Sequence, residues 1–171
     1  MKAGSPVRVI FVCWGNICRS PMAERIAQGW VQREGINGVE FTSAATSSEE
    51  LGAPIDPRAV QVLADAGYRT SGHRAHQITA DEIRHADLVI AMERMHLNRL
   101  QRLVPKADNL SLLTDYDPGA IRGSGVPDPW YGGGEGFLDT MAALIGAMPG
   151  IMARVRELQR RANETEPARG R

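Results

Sequence analysis

Residues 13–20 read Cys13-Trp14-Gly15-Asn16-Ile17-Cys18-Arg19-Ser20, and this loop decides the fold through what flanks it. Directly before it lies an apolar run, Val7-Arg8-Val9-Ile10-Phe11-Val12, as expected for a strand buried on both faces. Directly after it, Pro21-Met22-Ala23-Glu24 begins a pattern with helical periodicity. The loop therefore joins a strand to the N-terminus of a helix, where backbone N–H groups and the helix dipole favour an anion.

The rest of the chain alternates between strand-like and helix-like segments. Beyond the first strand, we predict a helix over 20–34 with Ser20 as its N-cap, a strand over 39–45, and a helix from Asp56-Pro57 to a stop at Gly67. A short helix over 79–85 follows, and then strands over 87–92 and 109–113 with a helix over 93–104 between them. The last predicted element is a long helix over 137–161, which Pro149-Gly150 kinks or interrupts. This alternation predicts an α/β fold, an open parallel sheet with helices on both faces. Ligands of such sheets bind at the carboxyl ends of the strands, where the 13–20 loop lies.

Length and composition indicate an ordinary globular protein. The 171 residues predict one domain over 1–171, with a core at about 7–160 and a flexible tail at 163–171. Twenty basic residues balance 20 acidic ones, so neither nucleic acid nor a membrane surface is an expected partner. We find no secretory signal, and no stretch that approaches the roughly 20 apolar residues of a membrane span. A cytoplasmic location is expected, unless export uses a route without a leader.

The residue types in the loop fit nucleophilic attack on an oxyanion. A thiolate is a strong nucleophile, and the helix N-terminus and Arg19 both favour the thiolate of Cys13. Arg19 would also bind phosphoryl oxygens in a planar, bidentate manner. The hydroxyl of Ser20 is close enough in sequence to donate to the sulfur. Gly15 suits a tight turn, and Asn16 tolerates a left-handed backbone.

The two cysteines allow other interpretations. A lone cysteine at a strand end is usually a buried structural residue, but the ordered set of Cys, Arg and Ser reverses that preference. His73 and His76 would complete a metal site with both cysteines, yet the Cys-x4-Cys spacing is atypical of structural zinc. We therefore expect no metal and no cofactor. Cys18 either traps an oxidised Cys13 as a disulfide or is simply a packed thiol at the helix start.

A second candidate site lies in the glycine-rich segment after the fourth predicted strand. Cleavage of an aryl phosphate requires a proton for the leaving oxygen, usually from a carboxylic acid or a histidine. Asp128 is the best donor, because Pro127 and Pro129 stiffen it on both sides and the aromatic residues Trp130 and Tyr131 follow. An Asp-Pro pair is also a common turn starter, so this segment alone does not decide the matter.

Together these segments resemble the low-molecular-weight protein tyrosine phosphatases. The stretch from Val12 to Glu24 looks like the phosphate loop of that family, and Pro127-Asp128-Pro129-Trp130-Tyr131-Gly132 looks like its acid loop. Further similar segments lie between them: Thr42-Ser43-Ala44-Ala45-Thr46, Asp56-Pro57-Arg58-Ala59, His73-Arg74-Ala75 and Tyr116-Asp117-Pro118. The resemblance spans about residues 7 to 160.

The resemblance implies a four-stranded parallel sheet with helices on both faces and a metal-independent phosphatase. Cys13 would be the nucleophile, Arg19 the phosphate binder and Asp128 the general acid. The phosphate-binding loop would comprise Trp14, Gly15, Asn16, Ile17, Cys18 and Ser20. Ser43 and His73 would support that loop in a hydrogen-bond network with Asn16 and Ser20. The implied partners are phosphotyrosine-containing proteins, and the chain would be a monomer or a weak dimer.

The sequence departs from the family pattern at the mouth of the site. Trp14 stands where leucine or threonine is frequent, Glu49 where many members have an aromatic wall, and Trp130 where a tyrosine pair usually begins. With Tyr131, these side chains would form the substrate pocket, and Glu49 would repel acidic peptide flanks. Glu93 replaces a more frequent aspartate after the third strand, which alters any polar contact there.

Two other functions are compatible with parts of the pattern. Arsenate reductases use the same fold, but the thioredoxin-coupled type needs further cysteines, and none follows Cys18. A non-catalytic phosphotyrosine-binding or anion-binding module would need no general acid.

Overall fold

The computed structural model describes residues 4–165. It contains a sheet of four parallel strands: β1 (Val7–Cys13), β2 (Val39–Ala45), β3 (Leu88–Ala91) and β4 (Leu110–Leu112), in the order β2-β1-β3-β4. The α-helices are α1 (Arg19–Glu34), α2 (Pro57–Asp65), α3 (Ala80–His85), α4 (Arg94–Leu103) and α5 (Gly134–Glu164). The predicted four-stranded parallel α/β fold is confirmed.

The central strand β1 is buried on both faces because its apolar side chains alternate between two cores. Val9 and Phe11 pack into a core that includes buried residues of α1, α2 and α5. Ile10 and Val12 pack into a second core that includes residues of α3 and α4. The helices thus cover both faces of the sheet, as predicted.

The predicted helix ends are confirmed in part. The predicted start of α1 was wrong: the helix begins at Arg19, and Cys18 rather than Ser20 takes the N-cap position, with no side-chain cap. Helix α2 ends at Asp65, and Gly67 follows its C-cap with a positive φ of 85°, so the predicted stop is confirmed. Helix α3 begins with a capping box, in which Thr79 and Glu82 exchange two hydrogen bonds. The polar segment before α5 contains two short 3-10 helices, Leu113–Tyr116 and Pro129–Tyr131.

Helix α5 runs without a break through Pro149, contrary to the predicted interruption. Gly150 is required there by packing, because a Cβ at this position would lie 2.2 Å from the carbonyl oxygen of Tyr116. The helix reaches Glu164, so the predicted flexible tail is helical over 163–164, and 166–171 lie outside the described residues.

The length and composition of α5 alone would allow it to cross a membrane, a property that the sequence reading missed. In the structure α5 packs against the sheet instead. Phe137, Leu144, Met148 and Ile151 are fully buried in the core with β1 and α1. Burial in the protein core therefore accounts for the apolar side chains on this face of the helix.

Candidate active site

A cavity of about 190 Å³ opens at the carboxyl end of β1, the central strand. The side chains predicted for the nucleophile, the phosphate binder and the acid all line it. Its lining residues are Cys13, Trp14, Gly15, Ile17, Cys18, Arg19, Glu49, Glu50, Asp128, Trp130 and Tyr131. The structure thus brings together two loops that are more than a hundred residues apart in the sequence.

Cys13 is buried beside the hydroxyl of Ser20. The Sγ–Oγ distance is 3.0 Å, and the side-chain amide of Asn16 donates to the same Oγ at 2.8 Å. Because this hydroxyl already accepts from Asn16, its single proton is available to Cys13 Sγ. The carbonyl of Ala44, at 3.4 Å, is a longer alternative acceptor. A hydrogen bond from Ser20 would stabilise a thiolate at Cys13.

The backbone of the loop turns at Asn16. Its φ of 59° makes it the one non-glycine residue with positive φ in the described part of the chain, as its tolerance of that region predicted. Gly15 does not have positive φ, so no left-handed backbone requires a glycine at this position. Gly15 is instead constrained by space, since a Cβ there would lie 3.2 Å from Cγ of Glu50.

Of the two residues predicted to support the loop, one contacts it and the other does not. His73 Nε2 donates to the carbonyl oxygen of Asn16 at 2.7 Å, and so contacts the loop. Ser43 does not: its hydroxyl donates to Glu24 Oε1 at 3.4 Å, because β2 directs it toward α1. Glu24 is itself paired with Arg25 at 3.1 Å, and burial raises the pKa of Glu24. The second contact to Asn16 comes from the backbone N–H of His76 at 3.2 Å.

Arg19 is held by residues that follow β3 and precede Asp128. Its side chain is only 2% exposed, and Nη1 contacts the carboxylate of Glu93 and donates to the carbonyl of Val126 at 2.8 Å. Glu93 thus contacts the predicted phosphate binder, although the sequence marked it only as a departure from the family pattern. Its position directly after a buried strand was the signal that could have identified it. These contacts fix the orientation of the guanidinium toward the loop.

A buried histidine completes the surroundings of Arg19. His96 is fully buried, and its Nδ1 accepts from the backbone N–H of Glu93 at 3.1 Å. Burial, and then the charges of Arg19 and Arg99, lower the pKa of His96 to about 3. His96 is therefore neutral in the folded protein and adds no positive charge beside Arg19.

This burial predicts a loss of stability in acid. Between the ordinary pKa of 6.5 and about 3, the unfolded chain binds a proton at His96 that the folded chain does not. The free energy of unfolding therefore falls as the pH falls through that range. Between pH 6.5 and 4.5 we expect this residue to contribute about 2 kcal/mol of that fall. Denaturant unfolding of the parent and of His96→Asn at both pH values measures the difference, and equal losses in the two proteins would contradict it.

Asp128 lies at the mouth of the cavity beside Arg19. Its Oδ1 accepts from the backbone N–H of Trp130 at 3.0 Å, and its Oδ2 lies 3.6 Å from Arg19 Nη2. One carboxylate oxygen is thus held by the local turn, while the other points toward the phosphate-binding side. The residue is about one-third exposed, which leaves it accessible to a bound substrate.

The residues predicted to form the substrate pocket lie on two walls of the cavity. On one side, the indole N–H of Trp14 donates to Glu49 Oε2 at 2.9 Å, and the guanidinium carbon of Arg99 lies 4.3 Å from a Trp14 ring centroid. On the other side, Trp130 and Tyr131 are 45% and 90% exposed. Arg99 was not predicted, and its cation–π contact with Trp14 holds a positive charge against this wall.

Cys18 lies in the same loop but in a different environment. It is buried, and desolvation together with the carboxylate of Asp56 raises its pKa to about 12. Cys18 is therefore a thiol at neutral pH and not a second nucleophile. The possible disulfide with Cys13 stays a prediction; both cysteines are free in the structure.

The metal-binding alternative has no geometric support among residues 4–165. No group of three or more His, Cys, Asp or Glu side chains in that range is arranged to hold an ion. His76 is occupied elsewhere, since its Nε2 lies 2.7 Å from Glu82 Oε1.

Residues 8–162 match the sequence profile described as low molecular weight phosphotyrosine protein phosphatase. The chain belongs to this family. A low molecular weight protein-tyrosine-phosphatase of Streptomyces coelicolor is 43% identical over 155 residues, which cover 88% of this chain and 94% of the relative. The chain is thus a phosphatase, as predicted from its motifs.

Solved structures agree with the family assignment. A protein tyrosine phosphatase from Entamoeba histolytica superposes with a TM-score of 0.84 at 26% identity, covering 90% of this chain and 99% of that one. Wzb of Vibrio vulnificus, solved in complex with benzylphosphonate, superposes with a TM-score of 0.73 at 25% identity, covering 88% and 97%. The phosphatase fold therefore extends over nearly the whole chain.

Proposed function

We propose that this phosphatase hydrolyses phosphotyrosine, and small aryl phosphates, through a phosphocysteine intermediate and without a metal ion. Cys13 is the nucleophile, Arg19 binds the phosphoryl group and Asp128 is the general acid. The observation that carries the proposal is the convergence of these three side chains on one cavity at the end of β1. A module that only binds a phosphate group would need Arg19, but it would need neither the thiol of Cys13 nor the carboxyl group of Asp128.

In the first step the Cys13 thiolate attacks phosphorus in line with the leaving oxygen. The S–P bond forms as the P–O bond breaks, and its electron pair passes to the tyrosine oxygen, which takes the proton of Asp128. In the second step Asp128, now ionised, accepts a proton from water while that water attacks phosphorus. The S–P bond breaks and returns the thiolate, which the hydroxyl of Ser20 stabilises.

The protein itself supplies the positive charge that the transferring group requires. The Arg19 guanidinium and the N–H groups at the start of α1 face the loop, and the pair with Glu93 keeps the guanidinium in place. Such preorganised donors stabilise charge in the transition state most strongly in a buried site. A metal ion is therefore not needed to neutralise the phosphoryl oxygens.

The shape of the mouth favours a flat aryl substrate. Trp14 on one side, with Trp130 and Tyr131 on the other, can enclose an aromatic ring above the phosphate loop. The benzylphosphonate complex of the Vibrio vulnificus relative supports a ligand of this class. We further propose protein substrates that carry phosphotyrosine, a cytoplasmic location, one domain with its core at about 7–160, and a monomer or weak dimer.

The proposal is tested by turnover of phosphotyrosine and phosphoserine peptides with and without EDTA. We expect hydrolysis of the phosphotyrosine peptide, much slower hydrolysis of the phosphoserine peptide, and no effect of the chelator. Loss of activity in EDTA would contradict the metal-independent mechanism. No turnover with either peptide, combined with peptide binding, would indicate a binding module, and arsenate reduction without phosphatase activity would indicate a reductase.

A further inference from the structure

Arg58, the second residue of α2, joins the acid loop to the phosphate loop, a role that neither its motif nor its position in sequence suggests. Its guanidinium forms a two-pronged contact with Asp56, in which Nε lies 3.1 Å from Oδ1 and Nη2 lies 3.1 Å from Oδ2. The backbone N–H of Asp56 in turn donates to the carbonyl of Ile17 at 2.8 Å. One end of the Arg58 side chain is thus fixed to the phosphate loop.

The other side of the same guanidinium holds the acid loop. Nη1 donates to the carbonyl oxygen of Trp130 at 3.2 Å, and the guanidinium carbon lies 5.0 Å from the Trp130 ring centroid. It also lies 4.8 Å from the ring centroid of Phe137, a buried residue of α5. The backbone N–H of Trp130 donates to Asp128 Oδ1, so Trp130 alone links Arg58 to the acid.

Few other hydrogen bonds hold this segment, although Pro129 is buried against α5. Among the described residues, the Arg58–Trp130 bond is the one hydrogen bond that reaches residues 127–132 from outside that segment. The nearest charged partner of Asp128 is Arg19 at 3.6 Å, beyond the distance of a direct hydrogen bond. The placement of the acid over the phosphate loop therefore depends on Arg58 more than on any other polar contact.

We propose that Arg58 is a positioning residue that holds Asp128 where it can protonate the leaving oxygen. The inference rests on the proposed function, because it requires Asp128 to be the general acid. Loss of the contact would leave the Cys13 thiolate and Arg19 in place and would weaken only the proton transfer.

This role has a specific kinetic signature. A poorly placed acid slows the departure of a basic leaving group such as phenolate, but it matters little for 2,4-dinitrophenolate, which leaves without a proton. A purely structural role for Arg58 would slow both substrates equally. The ratio of kcat/KM values for the two aryl phosphates therefore separates the two roles, and kcat/KM reports the first chemical step.

The test compares Arg58→Gln and Arg58→Lys with the parent protein on phenyl phosphate and 2,4-dinitrophenyl phosphate. We expect Arg58→Gln to lower kcat/KM about 10-fold for phenyl phosphate and less than about 2-fold for 2,4-dinitrophenyl phosphate. The lysine variant keeps the charge but loses the planar two-sided contact, so we expect an intermediate effect. It carries the same test if the glutamine variant does not fold. Arg33→Gln is the matched control, because Arg33 also stacks on a tryptophan, Trp30, but lies outside the cavity.

Combination with Asp128→Ala completes the experiment. If Arg58 acts through Asp128, adding Arg58→Gln to Asp128→Ala lowers kcat/KM for phenyl phosphate no further. Equal losses on both substrates, or additive losses in the double variant, would overturn the inference. If Asp128→Ala selectively slows phenyl phosphate and Arg58→Gln does not, the role of Arg58 alone fails. If Asp128→Ala also lacks that selectivity, the acid assignment fails.

Discussion

Replacing Cys13 by serine is expected to lower the turnover of p-nitrophenyl phosphate by about 10⁴-fold or more. The serine oxygen occupies nearly the same space, so the loop and its hydrogen bond with Ser20 can persist. An alcohol next to Arg19 is not ionised at neutral pH and is a far weaker nucleophile than a thiolate. Steady-state hydrolysis measures the loss of turnover. Phosphate binding by the same variant shows whether the phosphate loop keeps its structure.

The other cysteine in the loop supplies the comparison. Cys18 is held as a thiol by its raised pKa, so Cys18→Ser is expected to retain the ability to form a phosphoenzyme. Rapid acid quench followed by mass spectrometry should locate the phosphate on Cys13 in the parent protein and in this variant. Substantial turnover by Cys13→Ser, or phosphate on Cys18, would contradict the assignment of the nucleophile.

Replacing Asp128 by alanine is expected to lower kcat by about 10² to 10³-fold with a much smaller change in KM. The carboxylate supplies a proton in the first step and removes one in the second, so its loss affects bond breaking in both. Phosphate binding is carried by Arg19 and the loop N–H groups, which the substitution leaves in place.

Asp117 is a matched control for this variant. It stands in the same Asp-Pro context, and its Oδ1 accepts from the N–H of Gly119 at 2.9 Å, as Asp128 does from Trp130. Asp117 lies outside the catalytic cavity, so Asp117→Ala should leave kcat/KM within about 2-fold of the parent value. A change in KM rather than kcat for Asp128→Ala would show that Asp128 only binds substrate.

The local chemistry of the phosphate loop was predictable from sequence because it is encoded within eight consecutive residues. Cys13, Asn16, Arg19 and Ser20 are close in sequence, and a strand before and a helix after leave few ways to arrange them. The alternation of apolar residues in β1 likewise predicted a strand covered on both faces. Such short-range patterns follow directly from backbone periodicity and helix-end geometry.

The partners of these residues were decided by tertiary structure. Glu93 reaches Arg19 and Arg58 reaches Trp130 because separate strands and helices end at the same edge of the sheet. Ser43 faces Glu24 rather than the loop because strand register fixed its direction. The sequence by itself determined which residues of the phosphate loop are candidates for the chemistry, since their types and spacing are local. Only the packing of distant segments decided which charged groups hold them, because those contacts depend on distances that no local pattern encodes.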